Sequence, residues 1–255
     1  MSLNLTPLQN FPLVKTGDSI SSLILACLAN SNLQVMDGDI FVLAQKIVSK
    51  SEGRLRNLNE AIPSPESFEL AKVTGKDPRF IELVLQESAS VLRARENTII
   101  VEHKRGFICA NAGIDHSNVK GEFGDDQDWV LLLPEDPDRS AAGIRQELQS
   151  VTGKQLGVLI IDSHGRAWRN GTVGITIGLS GVPGLVDLRG TSDLFGFKLR
   201  ITQVAAADEL AAGASLVMGQ AAEGTPVVHV RGFPYPLREA QLNEMIRPKE
   251  LDMFR

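Results

Sequence analysis

The chain has 255 residues, of which 43% are hydrophobic and 22% charged, a balance typical of a globular protein with a sizeable core. A formal net charge of -5 and the lack of any long Lys/Arg run argue against nucleic-acid binding. No basic leader precedes an apolar segment, and charges interrupt every apolar window, which argues against export and membrane insertion. Cys27 and Cys109 form neither a CxxC pair nor a disulfide framework, so we expect a reducing cytoplasm.

The N-terminal half is predicted to combine helices with short strands. Apolar residues recur at helical spacing over 19–30, where Asp18 or Ser19 is a suitable cap and Cys27 falls on the apolar face. The apolar run 40–44 has the length and composition of a buried strand. The pattern then predicts helices over 64–75 and 78–95, followed by strands over 98–101 and 107–110 joined by a loop over 102–106.

The C-terminal half begins with a strand that ends near Leu131 and an acidic, proline-containing loop, after which Asp138 or Ser140 could cap a helix to about residue 150. The remaining predicted elements are strands over 156–161 and 172–179, a helix over 202–218 and a strand over 226–231. Several strand pairs are joined too briefly for βαβ crossovers, which favours an α+β fold with mixed layers. We expect residues 1–255 to form one unit with two interlocked lobes.

Several common nucleotide-binding and catalytic motifs are missing. The pairs Gly75-Lys76 and Gly153-Lys154 lack the upstream glycine and the following hydroxyl residue of a P-loop. No G-x-G or G-x-S-x-G occurs, which argues against a dinucleotide-binding oxidoreductase and an α/β-hydrolase. The histidines show neither H-E-x-x-H nor i,i+4 spacing, so a zinc hydrolase has no support: His103, His116, His164 and His229.

Two carboxylates, Asp115 and Asp162, are predicted to lie where apolar strands give way to glycine-containing loops. Carboxylates at strand ends are held firmly yet exposed on one side, as a hard cation that bridges phosphate oxygens requires. Ser163 would add a hydroxyl ligand. The alternative is that each aspartate only stabilises an Asx-turn, and spacing alone does not decide between these roles.

Basic residues supply two further candidate sites. If the strand continues through 45–50, its alternation places Lys46 and Lys50 on one side, where their ammonium groups could receive a triphosphate. The alternative is a solvated strand end. Arg166 and Arg169 flank Trp168 and could recognise a carboxylate or a phosphate, or could belong to an ordinary surface loop.

Nine segments, in this order, resemble the coenzyme F420-0:L-glutamate ligase family. Each is weak by itself, whereas nine in one order across about 11–232 are specific. They are IVSKSEGR (47–54), DPRFIELVLQES (77–88), ICANAGIDHSN (108–118), LLLPEDPD (131–138), IDSHGR (161–166), DLRG (187–190), ADELA (207–211), LVMG (216–219) and PVVHVRG (226–232).

The resemblance implies an enzyme that uses GTP to join L-glutamate to the lactyl carboxylate of F420-0 through an acyl phosphate, with further γ-linked glutamates as an extension. Two Mn²⁺ or Mg²⁺ ions, with K⁺ as an additional candidate, would offset charge during phosphoryl transfer. Two alternatives stay open. One is another nucleotide-dependent carboxylate-amine ligase on the same scaffold, and the other is a protein that binds an anionic cofactor without turnover.

The resemblance also assigns roles by position in the family's motifs. Asp115 and Asp162 match ligands of one metal, Ser163 matches a ligand of a second, and Gln220 is a further metal candidate. Catalytic roles would fall to Asp115, Asp162 and Lys50. The positions expected to hold the nucleotide are Leu13, Val14, Gln45, Lys46, Lys50, Asn118, Met218 and Gly219.

Three residues of this chain are unusual for the resembled family. Ser163 keeps a hydroxyl where Thr is common, His164 replaces an uncharged residue, and Gln220 offers a neutral oxygen where a carboxylate would bind a second cation more strongly. The resemblance further implies a two-lobed α+β fold in an intertwined homodimer with sites near the interface. A fused nitroreductase-like domain, present in some relatives, is not expected because the chain stops at Arg255.

Overall fold

A computed structural model describes residues 2–31 and 33–253. Within these residues no helix is long and apolar enough to cross a membrane. The elements, in chain order, are β1 Asn4–Pro7, α1 Ile20–Ser31, β2 Ile40–Ala44, α2 Gln45–Ser51, β3 Leu55–Asn57, α3 Pro65–Thr74, α4 Pro78–Gln86, β4 Ser88–Arg95, β5 Thr98–His103, β6 Ile108–Ala110, β7 Trp129–Leu131, α5 Pro137–Thr152, β8 Gly157–Arg166, β9 Arg169–Ser180, β10 Val186–Asp187, β11 Gln203–Val204, α6 Ala206–Met218 and β12 Val227–Arg231.

A five-stranded sheet forms the centre of the core, with the strand order β1-β12-β2-β8-β9. Only β2 and β8 run parallel, and their register pairs Ala44 with Ile161. Their apolar residues are fully or almost fully buried because helices cover the sheet. Helix α6 approaches β9 so closely at Gly174 that a Cβ there would lie 2.7 Å from the Ala211 carbonyl oxygen. The parallel pair matters for function, because β2 ends at Ala44 opposite Ile161, so the start of α2 lies beside the part of β8 that continues past β2.

Smaller sheets surround this centre. The antiparallel sheet β4-β5-β6 lies beside the central sheet, with β6 near β8, while β3 pairs with β7 and β10 with β11. An isolated bridge between Asp115 and Leu131 ties the segment after β6 to the end of β7. The observed mixture of helices with parallel and antiparallel strands confirms the predicted α+β class.

Several predicted elements are confirmed. Helix α1 covers the predicted 19–30 closely and buries Cys27, and β2 has the predicted limits. The helix predicted over 64–75 is α3, which begins after the side-chain cap Ser64 and ends at Gly75 with φ 69°. Apolar periodicity and capping residues therefore locate these elements well.

The helix predicted over 78–95 is wrong in its second half. Helix α4 ends at Gln86 after burying its apolar face, and 88–95 forms strand β4 paired with β5. Residues of β4 such as Ala94 and Arg93 carry no strong strand preference, so the pairing partner decides the structure of this segment. Similarly, the predicted helix 202–218 begins only at Ala206, because 203–204 pair with β10.

Three boundaries next to candidate site residues also differ from the predictions. Residues 45–50 are not a strand but belong to helix α2. Strand β8 does not stop at Ile161 but continues through Asp162, which pairs with Ile175 of β9. The helix predicted to start at Asp138 or Ser140 is α5, capped instead by the side chain of Asp136. The turn into α2, the pairing of β8 with β9 and the Asp136 cap set these limits, and none of them can be read from apolar periodicity.

Candidate functional site

A cavity of about 420 Å³ opens where β2 ends beside the continuing strand β8. Strand β2 runs directly into α2 at Gln45, and the paired β8 brings Asp162 to the same place. Nearly all the residues predicted for the site line this cavity: Leu13, Val14, Gln45, Lys46, Lys50, Asn118, Asp162, Ser163, Met218, Gly219 and Gln220. The exception is Asp115, which lies behind the lining residues and contacts two of them.

The basic side of the cavity is built by helix α2. Lys46 and Lys50 are four residues apart and therefore share one helix face. The Lys46 ammonium donates to the Ser117 carbonyl at 2.9 Å, and the Lys50 ammonium donates to the Asn118 carbonyl at 2.8 Å. Burial and the neighbouring charge of Lys46 lower the pKa of Lys50. Two crowded cations favour an anion at this position.

Asp115 is held in place from two directions. Its backbone exchanges hydrogen bonds with Leu131 at 3.0 and 2.9 Å, and its Oδ2 accepts one from Gln45 Nε2 at 2.9 Å. Ser49 Oγ donates to Gln45 Oε1, which fixes the orientation of the Gln45 amide. Lys46 Nζ lies 3.3 Å from the same Asp115 oxygen. The carboxylate is thus rigidly placed, although a single ammonium offsets only part of its charge.

The pKa of Asp115 is raised to about 6, first by burial and further by the negative charge of Asp162, while Lys46 opposes the shift. A raised pKa means that the ionised carboxylate is destabilised where it stands. A cation shared with Asp162 would relieve both causes. The electrostatics of this pair therefore favour a bound cation, a conclusion that strand-end spacing alone does not reach.

Ser163 and Gln220 bring two neutral oxygens together on the other side of the cavity. Ser163 Oγ donates to Gln220 Oε1 at 2.7 Å, and Gln220 Nε2 donates to Ser215 Oγ at 2.7 Å. The second bond fixes the amide so that its oxygen, not its nitrogen, faces Ser163. The two residues predicted for a second metal are therefore neighbours, and both present oxygen.

The loop after α6 closes the cavity at its remaining side. Gly219 adopts φ 79° and ψ 174°, a conformation suited to glycine, and a Cβ there would collide with the Glu223 side chain. Asn118 Nδ2 donates to the Ala221 carbonyl at 3.0 Å, which joins the loop after Asp115 to the loop after α6. Sequence reasoning missed Glu223, Ala221 and Ser117, because backbone acceptors and loop contacts leave no residue pattern.

Other sequence candidates lie elsewhere. Trp168 is 87% exposed at the turn between β8 and β9, and neither it nor Arg166 and Arg169 lines the cavity. His116 stacks on Phe80, with ring centroids 5.4 Å apart, and does not line the cavity either. The predicted role of the arginine pair in recognising an anion thus gains no support from this cavity.

The candidate metal ligands have the right donor atoms for a hard cation, but they are too few to complete its coordination shell. Among the described ranges 2–31 and 33–253, no three His, Cys, Asp or Glu side chains come together in a metal-binding arrangement. Asp115, Asp162, Ser163 and Gln220 offer oxygens only, the donors that Mg²⁺ and Mn²⁺ prefer and zinc does not. Mg²⁺ commonly takes one or two carboxylates and completes its shell with water and phosphate oxygens. The residues present therefore suit a cation that arrives with a phosphate ligand.

Comparison with known proteins connects this site to one family. The profile of F420-0:Gamma-glutamyl ligases matches residues 9–232. Coenzyme F420:L-glutamate ligase of Methanothermobacter thermautotrophicus is 46% identical over all of both chains. The protein of that name from Methanocaldococcus jannaschii is 46% identical over 96% of this chain and 94% of its own length, and that of Archaeoglobus fulgidus is 40% identical over 100% and 97%. The resemblance found in the sequence is confirmed, and the chain belongs to the F420-0:gamma-glutamyl ligase family.

Proposed function

We propose that this protein joins L-glutamate to the lactyl carboxylate of F420-0 with GTP as the phosphoryl donor. The observation that carries the proposal is a single cavity in which Lys46 and Lys50 accompany Asp162 and Ser163, in a member of a family whose relatives are named as L-glutamate ligases. Two ammonium groups suit a triphosphate, and two carboxylates beside an anion site require a cation between them.

The proposed reaction has two steps. The carboxylate of F420-0 attacks the γ-phosphorus of GTP, which forms an acyl phosphate and releases GDP. The amine of L-glutamate then attacks the acyl carbon, an amide bond forms, the C–O bond to phosphate breaks, and the amine loses a proton. Repetition on the γ-carboxylate of the added glutamate would extend the chain. Because phosphoryl transfer requires little covalent chemistry from the protein, positioning and charge dominate the catalysis.

The lysines would bind phosphate oxygens. In the structure their ammonium groups donate to the carbonyls of Ser117 and Asn118. A bound phosphate would therefore displace these neutral acceptors from the ammonium groups or bind alongside them. An ammonium gains more electrostatic attraction from an anionic phosphate oxygen than from a neutral carbonyl. Binding of the nucleotide is therefore proposed to rearrange the contacts of the loop after Asp115.

Mn²⁺ or Mg²⁺ would supply a Lewis acid that offsets charge on the transferred phosphoryl group. Asp115 and Asp162 would hold one such cation, and Ser163 with Gln220 would contribute to a second. Leu13, Val14, Met218 and Gly219 line the same cavity and would contact the nucleoside.

We also propose that the protein acts as a homodimer. The connection between β10 and β11 carries three apolar side chains that are almost fully exposed, Leu194 at 97%, Phe195 at 94% and Ile201 at 88%. Exposed apolar clusters of this kind mark contact surfaces in folded proteins. Light scattering after gel filtration should give twice the chain mass, and a monomer at micromolar concentration would contradict this proposal.

The decisive experiment incubates the purified protein with F420-0, L-glutamate, GTP and Mn²⁺ and follows the deazaflavin by mass spectrometry. We expect an added glutamate residue together with GDP. Glutamate-dependent GDP release that ignores F420-0 would instead indicate a ligase for another acid. Unchanged F420-0 with no GDP above the no-enzyme control would indicate a binding protein.

Asp162→Asn and Asp37→Asn form a matched pair for this assay. Asp162 lines the cavity beside the end of β2, whereas Asp37 precedes the opposite end of β2 and accepts from the Gln155 backbone at 2.8 Å. Both changes remove one negative charge. Loss of product in the first variant alone would assign the effect to the cavity, and equal activity in both would remove Asp162 from the mechanism.

A further inference from the structure

His164 is buried directly behind Asp162. The two residues are separated by one position on strand β8, so their side chains point to the same face of the sheet. His164 Nε2 lies 2.9 Å from Asp162 Oδ2, with the side chains 6% and 12% exposed. The contact places an imidazole against one oxygen of a carboxylate that lines the cavity.

The His164 ring packs against an aromatic stack of Phe107 and His103. The Phe107 ring lies 5.7 Å from it at an angle of 43°. His103 stacks on Phe107 at 4.8 Å and 7°, and both Phe107 and His103 are buried. Such packing restricts the imidazole to a narrow range of positions, and His164 therefore forms a stiff backing for Asp162.

The imidazole is short of hydrogen bonds. Neither Nδ1 nor Nε2 of His164 makes a well-aligned hydrogen bond to any residue that the structure describes, although both atoms are buried. The approach of Nε2 to Asp162 Oδ2 is close in distance but is not aligned as a hydrogen bond. An unpaired buried polar group destabilises the folded protein. If this residue only filled the core, an apolar Leu or Phe would do so without leaving a buried polar group unpaired.

Resting on the proposed function, we propose that His164 is a positioning residue for Asp162. Its Nε2–H donates to Oδ2 and leaves Oδ1 directed at the cavity, where the carboxylate can hold a divalent cation. Carboxylates that bind metals are commonly oriented by a hydrogen-bonding neighbour, and loss of such a neighbour weakens metal binding by about 10- to 100-fold. Nothing in this role requires His164 to change its charge.

The test measures Mn²⁺ binding as well as turnover. Each variant is titrated with Mn²⁺ in the presence of a non-hydrolysable GTP analogue. Binding of the ion to the protein is followed by the broadening of its electron paramagnetic resonance spectrum. A titration of the analogue without protein is the control. His164→Phe removes both nitrogens and keeps a ring, whereas His164→Gln places an amide N–H near the position of Nε2. His103→Phe is the matched control, because it removes a buried imidazole that stacks on Phe107 and is not among the described hydrogen-bond or ion-pair partners of Asp162.

We expect His164→Phe to weaken Mn²⁺ binding about 10-fold and to raise the Mn²⁺ concentration needed for half-maximal turnover. His164→Gln should recover most of the affinity, and His103→Phe should bind Mn²⁺ like the wild type. Thermal melts of all the variants report the purely structural cost, which should be similar for the two Phe variants.

Two outcomes would overturn the inference in distinguishable ways. Wild-type Mn²⁺ affinity in His164→Phe, together with its loss in Asp162→Asn, would reject the role of His164 and leave the proposed function standing. Unchanged affinity in Asp162→Asn would reject Asp162 as a ligand and the role of His164 with it. An equal loss in His103→Phe would show that packing, not the hydrogen bond, matters.

Discussion

Two cavities of nearly equal size differ sharply in their charges. The candidate site has about 420 Å³, and a second cavity of about 410 Å³ lies at the base of the β10–β11 connection. In the second cavity Asp187 is paired with Arg189 and Glu244 with Arg238. In the first, Lys50 binds only a neutral carbonyl among its described hydrogen-bond partners, and the lining residue Asp162 repels Asp115, which lies behind the lining.

The pKa directions express the same contrast. Arg189 lowers the pKa of Asp187 to about 2, and Arg238 lowers the pKa of Glu244. By comparison, burial raises the pKa of Asp115 to about 6 and lowers that of Lys50. One cavity therefore has charges that are already stabilised, and the other has charges that a ligand would stabilise. Cavity volume does not distinguish the two cavities, whereas the state of their charges does, and charges destabilised by their surroundings are enriched at functional sites.

The largest expected effect comes from Asp162→Asn. It removes a carboxylate proposed to hold the cation, and loss of one preorganised electrostatic contact commonly costs about 10²- to 10³-fold in kcat. Asp187→Asn makes the same substitution in the second cavity and should leave kcat unchanged. Steady-state assays of product formation compare the two. A comparable loss of kcat in Asp187→Asn would contradict the proposed difference between the two cavities and would show that the second cavity takes part in the reaction.

Lys50→Ala should come next. A hydrogen bond to a charged group contributes about 1.5–3 kcal/mol, so the KM for GTP should rise about 10- to 100-fold. Lys72→Ala is the control, because Lys72 lies on α3 and pairs with Glu69 at the surface. Initial rates at varied GTP concentration give both KM values. An unchanged KM in Lys50→Ala would mean that the ammonium only holds the Asn118 carbonyl.

Asp115→Asn should change stability in a pH-dependent way. The folded pKa of about 6 is above the ordinary value of 3.8, so without divalent cations the folded state loses stability as pH rises from about 4 to about 6. At about pH 7.5 the Asn variant should be more stable by about 1–2 kcal/mol, less than the full shift gives because the side chain is 30% exposed. Below about pH 4 the difference should vanish.

Urea unfolding at both pH values, with chelator present, provides the measurement for Asp115→Asn. Lower stability of the variant at about pH 7.5 would show that attraction to Lys46 outweighs burial. Added Mn²⁺ should favour the wild type, since only the carboxylate binds the ion strongly.

How much the sequence predicts depends on whether a feature is local. Strand β2 and helix α1 follow from runs and periodicity within one segment. Strand β4 does not, because its conformation is determined by pairing with β5. Lys46 and Lys50 share a face although the predicted strand is a helix. Residues four apart lie on the same side of a strand, because side chains alternate, and also on the same face of a helix, because four residues are close to one turn. The prediction of a shared face therefore did not depend on the type of element.

The candidate site shows the same limit. Asp115 and Asp162 were predicted as a pair from the family resemblance, and the parallel register of β2 and β8 explains how Asp162 reaches the lysines. The carbonyls that receive the lysines and the raised pKa of Asp115 depend on burial and on neighbours distant in sequence. Spacing alone carries no information about these features.

Arg238→Ala should have the smallest effect, and it tests the second cavity directly. Arg238 pairs with Glu244 and donates to the Leu185 carbonyl at 2.8 Å, but its side chain is 46% exposed. Half-exposed pairs of this kind contribute at most about 1 kcal/mol, so the melting temperature should fall slightly and kcat should not change. Because Arg238 lowers the pKa of Glu244 below 4.5, the difference from wild type should fade as pH falls through that lowered value. A large loss of activity at neutral pH, with the fold intact, would show that paired charges can also mark a working site.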